Sequence, residues 1–168
     1  QLLARLCAAA DPQLQPVINA VWRAIISASI ARQRPDFIIL MTAESEQTAR
    51  LFAAGQLSIK QTGTPLALCQ QLAAGTADIG IVEADELKRI HTQLGLDRPV
   101  KIIAGLPLLR QSNSVPSAFI VGCQPPDRTA QDFLVVYDKK QRTIDLTEAA
   151  EENLPTEWSV LGICTLIG

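Results

Sequence analysis

The chain has 168 residues, a formal net charge of −2, 48% hydrophobic residues and 19% charged residues. This composition supplies a sizeable apolar core and excludes intrinsic disorder, and the length allows one or two domains. Because basic residues are not in excess, the overall charge gives no basis for binding nucleic acid or an anionic membrane. A local cluster of two or three cations would still hold a small anionic molecule.

The first 35 residues predict a helical segment. The opening stretch QLLARLCAAAD has the pattern of a helix already under way, and we expect that an earlier part of the protein precedes it. The prolines of DPQLQP end this helix, and Pro16 suits the first turn of the next one. The pattern from Val17 to Gln33 is helical, with apolar residues recurring at helical spacing, and Pro35 ends the helix.

One stripe of this second helix ends in two polar side chains. Steps of four, three and four residues place Trp22, Ile26, Ser29 and Gln33 on one face. Two explanations remain open. A serine on such a face often bonds back to a carbonyl of its own helix, and a glutamine near a helix end is often solvated. Alternatively, Trp22 and Ile26 pack the helix while Ser29 and Gln33 face a polar pocket.

Residues 36–168 predict an α/β domain. The short apolar run DFIILMTA predicts a buried strand, QLSIKQT and ADIGIVEA predict two further strands, and the three alternate with helices closed by Gly55 and Gly75. This alternation indicates βαβ units and a parallel or mixed sheet, an α/β (α+β) fold of two or three layers. Further strands are predicted at VKIIAGLPLL, SAFIVGCQ, DFLVVYD and WSVLGICTLIG. A short acidic helix is predicted at LTEAAEENL, and loops at RQSNSVPS and QPPDRTAQ.

The cysteines and the single histidine, His91, argue against a metal site. The cysteines (Cys7, Cys69, Cys123 and Cys164) are widely spaced and form no CxxC pair, so we expect no zinc and no other metal. Their spacing predicts reduced, buried thiols and a cytoplasmic protein. No continuous apolar run approaches the roughly 20 residues of a membrane span, so no membrane association is expected.

The stretch VWRAIISASIARQ resembles the last helix of the all-helical chorismate mutases, and QLLARL is similar to the end of the helix before it. The resemblance implies that the protein containing this chain converts chorismate to prephenate. This isomerase reaction belongs to the shikimate pathway of aromatic amino-acid biosynthesis and uses no cofactor. The resemblance also implies an intertwined homodimer. Ser29 would then bond a carboxylate or hydroxyl of the substrate, and Gln33 would direct its amide to the ether oxygen.

The cationic residues of that family lie mostly on earlier helices. Arg5, Arg23 and Arg32 match none of the catalytic positions of the family. Helical geometry also turns Arg32 about 100° away from Gln33. The chain alone is therefore expected to be inactive as a mutase.

The following segment resembles a degenerate prephenate dehydratase lobe, and AAGTADIGIV is the part most similar to that family. Together the two segments resemble bacterial chorismate mutases that carry such a lobe after the mutase helices. Three places depart from the dehydratase pattern. TAESEQT at 42–48 lacks the glycines of GPxGTFS, Ser117-Ala118-Phe119 lacks the threonine and arginine of TRF, and the segment at 83–87 does not match PIENS. The departures imply that dehydration is lost.

Thr64 is a further candidate ligand-binding residue. Together with Pro65 it opens a helix whose backbone N–H groups could bind an anion, although an ordinary helix cap is the simpler interpretation. This leaves two other hypotheses beside the mutase. The α/β domain is a non-catalytic regulatory module that binds an amino acid or a related carboxylate, or it is a structural appendage.

Overall fold

The computed structural model describes residues 5–6, 9–106, 115–124 and 132–165. The helices are α1 (Gln15–Gln33), α2 (Glu46–Ala53), α3 (Pro65–Ala73) and α4 (Ala84–Ile90). The strands are β1 (Ile38–Met41), β2 (Ser58–Gln61), β3 (Ile79–Glu83), β4 (Lys101–Leu106), β5 (Ala118–Gly122), β6 (Asp132–Asp138), β7 (Thr143–Thr147) and β8 (Trp158–Thr165). Short 3₁₀ helices lie at Pro12–Leu14, His91–Gln93 and Glu151–Asn153.

The strands form one mixed sheet with the order β2-β1-β3-β5-β4-β8-β6-β7. Strands β2, β1 and β3 are parallel and are joined through α2 and α3, as the predicted βαβ units require. Strand β5 is antiparallel to β3 and β4, and β6 is antiparallel to β7 and β8. The two parts of the sheet meet where β4 and β8 run parallel, at the pair Ile102 and Gly162. The α/β fold class is confirmed.

Apolar side chains cover both faces of the sheet. Successive residues of a strand point to opposite faces, so Leu40 joins a core cluster with α3 and α4, whereas Ile39 joins a cluster with α2. Ala49 and Ala53 of α2 are fully buried in this second cluster, and Ile30 of α1 packs against it. The second cluster therefore determines where α1 lies.

Helix α1 packs on the domain through its C-terminal half. Ser27 is its one buried residue, and Ile30 and Ala31 are partly buried. The expected packing of Ile26 is wrong, because this side chain is 43% exposed; Trp22 is half-buried. The main chain of α2 lies against Ser27, and this contact rotates the stripe that contains Ile26 to the side of the helix.

One face of α1 is apolar and open. Four of its side chains are each between 53% and 56% exposed: Leu14, which directly precedes α1, and Val17, Val21 and Ile25. The helical stretch Pro12–Gln33 has 22 residues and contains an 18-residue window with a mean hydropathy of 1.2, so it is long and apolar enough to cross a membrane by length and composition only. Asn19, Arg23 and Ser27 interrupt the stretch, so it is not a continuous apolar run of that length.

Local signals in the sequence predicted most element ends. Thr64 caps α3, and Gly75 follows this helix with a φ of +74°. Of the acidic helix predicted at LTEAAEENL, only the short 3₁₀ helix Glu151–Asn153 forms, and the start of the segment is strand, because Leu146 belongs to β7 and pairs with Val135 of β6. Strand pairing here overrides the helix propensity of Glu and Ala. Residues 107–110, most of both predicted loops and part of the first predicted helix lie outside the described residues.

Candidate functional site

Ser29 and Gln33 lie together on the exposed side of the last turns of α1. The Gln33 amide donates a hydrogen bond from Nε2 to Oγ of Ser29 over 3.2 Å. This bond uses one amide proton of Gln33 and a lone pair of Ser29 Oγ, so it does not use the hydroxyl proton of Ser29 or the second amide proton of Gln33. The structure therefore brings the two predicted residues together as a neutral hydrogen-bonding pair. Such a pair can bind a carboxylate, a hydroxyl or an ether oxygen.

The pair is close to the junction between α1 and the sheet. Arg34 follows Gln33 and donates from Nη2 to Oδ1 of Asp78 over 2.8 Å. The other oxygen of Asp78, Oδ2, accepts the backbone N–H of Ile38 at 2.8 Å. Asp36 also contacts Arg34, at 3.3 Å. Hydrogen bonding to Asp36, with the negative charges of Asp36 and Asp78, raises the pKa of the Arg34 guanidinium.

A second contact lies on the other side of α1. The Ser27 hydroxyl donates to the carbonyl oxygen of Phe52 near the end of α2, over 3.1 Å. At about 100° per residue, Ser27 is roughly 160° around the helix axis from Ser29. When Ser27 is fixed against the domain, Ser29 is therefore turned away from it. No sequence signal marks this role, because a serine among alanines and isoleucines does not reveal which helix it faces.

The three segments that depart from the dehydratase pattern meet at the carboxyl edge of β1 and β3. Thr48 donates to the Glu83 carboxylate over 2.8 Å, and this joins α2 to the end of β3. The Ala84 N–H donates to the carbonyl oxygen of Ser117 over 2.8 Å, directly before β5. In open α/β sheets, ligands bind outside the carboxyl ends of strands where the strand order reverses. Here that reversal lies between β1 and β3.

Hydroxyl groups at this edge are already used inside the protein. Ser45 is fully buried and donates to the Ile81 carbonyl oxygen over 2.7 Å, and its Oγ accepts the Thr42 N–H at 3.0 Å. Thr62 is also buried and donates to the Met41 carbonyl oxygen over 3.3 Å. These bonds stabilise the loops after β1 and β2, and they leave these hydroxyl protons unavailable to a ligand.

The charges at the carboxyl edge do not favour an anion. An open groove of about 540 Å³ lies beside α2, lined by Ala43, Glu44, Glu46, Gln47, Arg50 and Leu51. Arg50 is paired with Glu46 at 2.7 Å, and Arg89 contacts Glu44 at 2.7 Å. Both guanidinium groups are therefore neutralised by neighbours. A carboxylate ligand would find the charges of these arginines already compensated by glutamates.

Thr64 lies at this carboxyl edge, away from Ser29 and Gln33. Its Oγ1 accepts the Ala67 N–H at 3.1 Å, which is the geometry of an N-cap. Arg34, the residue after Gln33, instead contacts Asp78, which directly precedes β3 and thus marks the opposite edge of the sheet. The predicted site residues thus form two separate places, with the Ser29–Gln33 pair at one edge and Thr64 at the other.

Comparison with known proteins gives no assignment, since no family model, no curated protein and no solved structure matches this chain. In the part of the chain that the structure describes, no group of three or more His, Cys, Asp or Glu side chains is placed to hold a metal ion. The geometry of the two edges is therefore the basis for inferring function.

Proposed function

We propose that this chain is part of a chorismate mutase, in which Ser29 and Gln33 of α1 contact the substrate. The observation that carries the proposal is the exposed, neutral Ser29–Gln33 pair, with its 3.2 Å hydrogen bond, at the end of a helix. The resemblance of VWRAIISASIARQ to the last mutase helix supports the same assignment. On that resemblance we also propose a cytoplasmic homodimer.

The chemistry of the reaction suits such a pair. Conversion of chorismate to prephenate is a unimolecular rearrangement, which requires no nucleophile and no cofactor. An enzyme accelerates it by holding the reactive conformer and by donating hydrogen bonds to the ether oxygen as its bond breaks. Gln33 would supply the donor to that oxygen, and Ser29 would bind a carboxylate or hydroxyl of the substrate.

The open apolar face of α1 supports the proposal independently of the two polar residues. Leu14, Val17, Val21 and Ile25 form a stripe at helical spacing, and each is more than half exposed. A helix that packs on a domain through one face and exposes an apolar stripe on another face is suited to packing against further helices. In a mutase these helices would also bring the cations that bind the two carboxylates of chorismate.

The α/β domain is proposed to be non-catalytic and to hold α1. Its carboxyl edge has its buried hydroxyls bonded internally and its nearby arginines paired with glutamates. This arrangement supports the loss of dehydration that the three departures from the dehydratase pattern imply.

The test is an assay of chorismate consumption with the complete gene product. We expect prephenate as the product, and no turnover with residues 1–168 alone, because the substrate carboxylates then lack their cationic partners. Absence of prephenate formation by the complete gene product would rule out the mutase proposal.

The competing hypothesis, a module that binds an amino acid or a related carboxylate, makes a different prediction. We expect that phenylalanine, tyrosine, tryptophan and prephenate at millimolar concentration leave the melting temperature of the chain unchanged. A ligand that binds only the folded state must raise this temperature, by an amount that grows with its concentration over Kd. A reproducible increase with any of the four compounds would favour the regulatory module.

A further inference from the structure

Gln33 lies in the part of α1 that is least restrained by the helix itself. The next residue, Arg34, has left the helical conformation, with φ −133° and ψ 78°, and Pro35 prevents any continuation. Terminal turns of helices open more readily than their interiors. An exposed glutamine in the last turn therefore needs an additional contact if its amide is to keep one orientation.

The domain supplies that contact through one carboxylate. Asp78 binds Arg34 with one oxygen and the N–H of Ile38, the first residue of β1, with the other, each at 2.8 Å. The Asp78 backbone N–H also donates to the Ile38 carbonyl oxygen over 3.1 Å. Asp78 is thus fixed on two strands of the sheet, and it connects the residue after Gln33 to both of them.

We propose that Arg34 and Asp78 are positioning residues for Gln33. Their ion pair holds the last turn of α1 on the sheet and thereby keeps the Gln33 amide directed at the substrate. This inference rests on the proposed mutase function. Neither residue touches the substrate. The α/β domain then acts as a scaffold for the catalytic helix, and this gives a role to a domain whose own carboxyl edge has its hydroxyls and arginines bonded within the protein.

The experiment compares two arginines on either side of Gln33 in the complete gene product. We expect Arg34→Ala to lower kcat by about three- to tenfold, with less than a twofold change in KM for chorismate, since small misplacements of reacting groups reduce rate. Arg32→Ala removes an equal charge from an exposed position on the same turn, and we expect kcat and KM to stay within twofold. Arg34→Lys, which keeps the cation, should restore part of kcat.

A second pair of variants separates positioning from attraction of the anionic substrate. Asp78→Asn makes this region more positive, so attraction alone would improve activity, whereas loss of positioning lowers kcat. Asp36→Asn removes the same charge from a carboxylate that contacts Arg34 but not β1, and we expect kcat to change by less than twofold. This pair also keeps the test decisive if Arg34→Ala does not fold.

Three results would overturn the positioning role. These are equal kcat values for Arg34→Ala and Arg32→Ala, a higher kcat for Asp78→Asn, or equal losses for Asp78→Asn and Asp36→Asn. Each of these results can occur while Gln33→Ala is inactive, and the mutase assignment then stands. Full activity of Gln33→Ala would instead refute the role of Gln33 in the proposed function, whatever the Arg34 variants show.

Discussion

Replacement of Gln33 by alanine in the complete gene product is expected to lower kcat for chorismate by about 100- to 1,000-fold. The estimate follows from the cost of removing one preorganised donor to an oxygen that gains charge in the transition state. KM should change less, because the ether oxygen carries little charge in the bound substrate and the carboxylates retain their partners. The measurement is the initial rate of chorismate consumption across substrate concentrations.

A matched control distinguishes this effect from the general loss of a surface amide. Gln70 is an exposed glutamine on α3, within the α/β domain, and we expect Gln70→Ala to keep both kinetic constants within twofold. Circular dichroism should show equal helix content and melting temperature for both variants. Unchanged turnover in Gln33→Ala would refute the assignment of Gln33 and favour a solvated helix end.

The sequence alone predicted the succession of strands and helices from β1 to β3 in the α/β domain. Strands β1 and β3 were visible as short apolar runs, and the helix between β2 and β3 had recognisable residues at both of its ends. Thr64 bonds the Ala67 N–H at one end of that helix, and Gly75 adopts a positive φ after the other end. Such signals depend on neighbours within a few residues, so they are readable without knowledge of the fold.

Contacts between distant residues were not predictable in the same way. Leu146 belongs to β7 because it pairs with Val135, although its own neighbours favour a helix. Likewise, the pattern of α1 placed Ile26 on a packing face, whereas Ser27 is the buried residue because Phe52 of α2 offers it a carbonyl oxygen. Local periodicity gives the spacing of a stripe, and the partner element decides which stripe is buried.

In the candidate site, too, the local features were predictable from the sequence and the contacts between distant residues were not. The spacing of Ser29 and Gln33 predicted that they share a face, and the hydrogen bond between them agrees with it. The connection from Arg34 to Asp78 spans 44 residues along the chain, and no local pattern marks it. The second contact of the Asp78 carboxylate, with the Ile38 N–H, exists only once β1 and β3 lie side by side.

The second large effect is expected at Gly162, a buried glycine of β8. A Cβ atom at this position would lie 2.5 Å from the carbonyl oxygen of Ile102 and 2.6 Å from its backbone N. Gly162 pairs with Ile102 where β4 and β8 join the two parts of the sheet, so the strands must separate to admit a methyl group. We expect Gly162→Ala to lower the free energy of unfolding by about 3 kcal/mol or more, since overpacking against backbone finds little relief.

Gly63→Ala is the matched control for this prediction. No atom lies within 4 Å of a Cβ built at Gly63, and its φ lies outside the left-handed region, so the methyl group meets neither a clash nor strain. The substitution should be neutral or slightly stabilising, because alanine restricts the unfolded chain. Thermal unfolding should then show a decrease of about 6–12 °C for Gly162→Ala and no decrease for Gly63→Ala. Equal melting temperatures for the two variants would mean that β4 and β8 do not approach each other closely at Gly162, and that the two parts of the sheet are joined in another way.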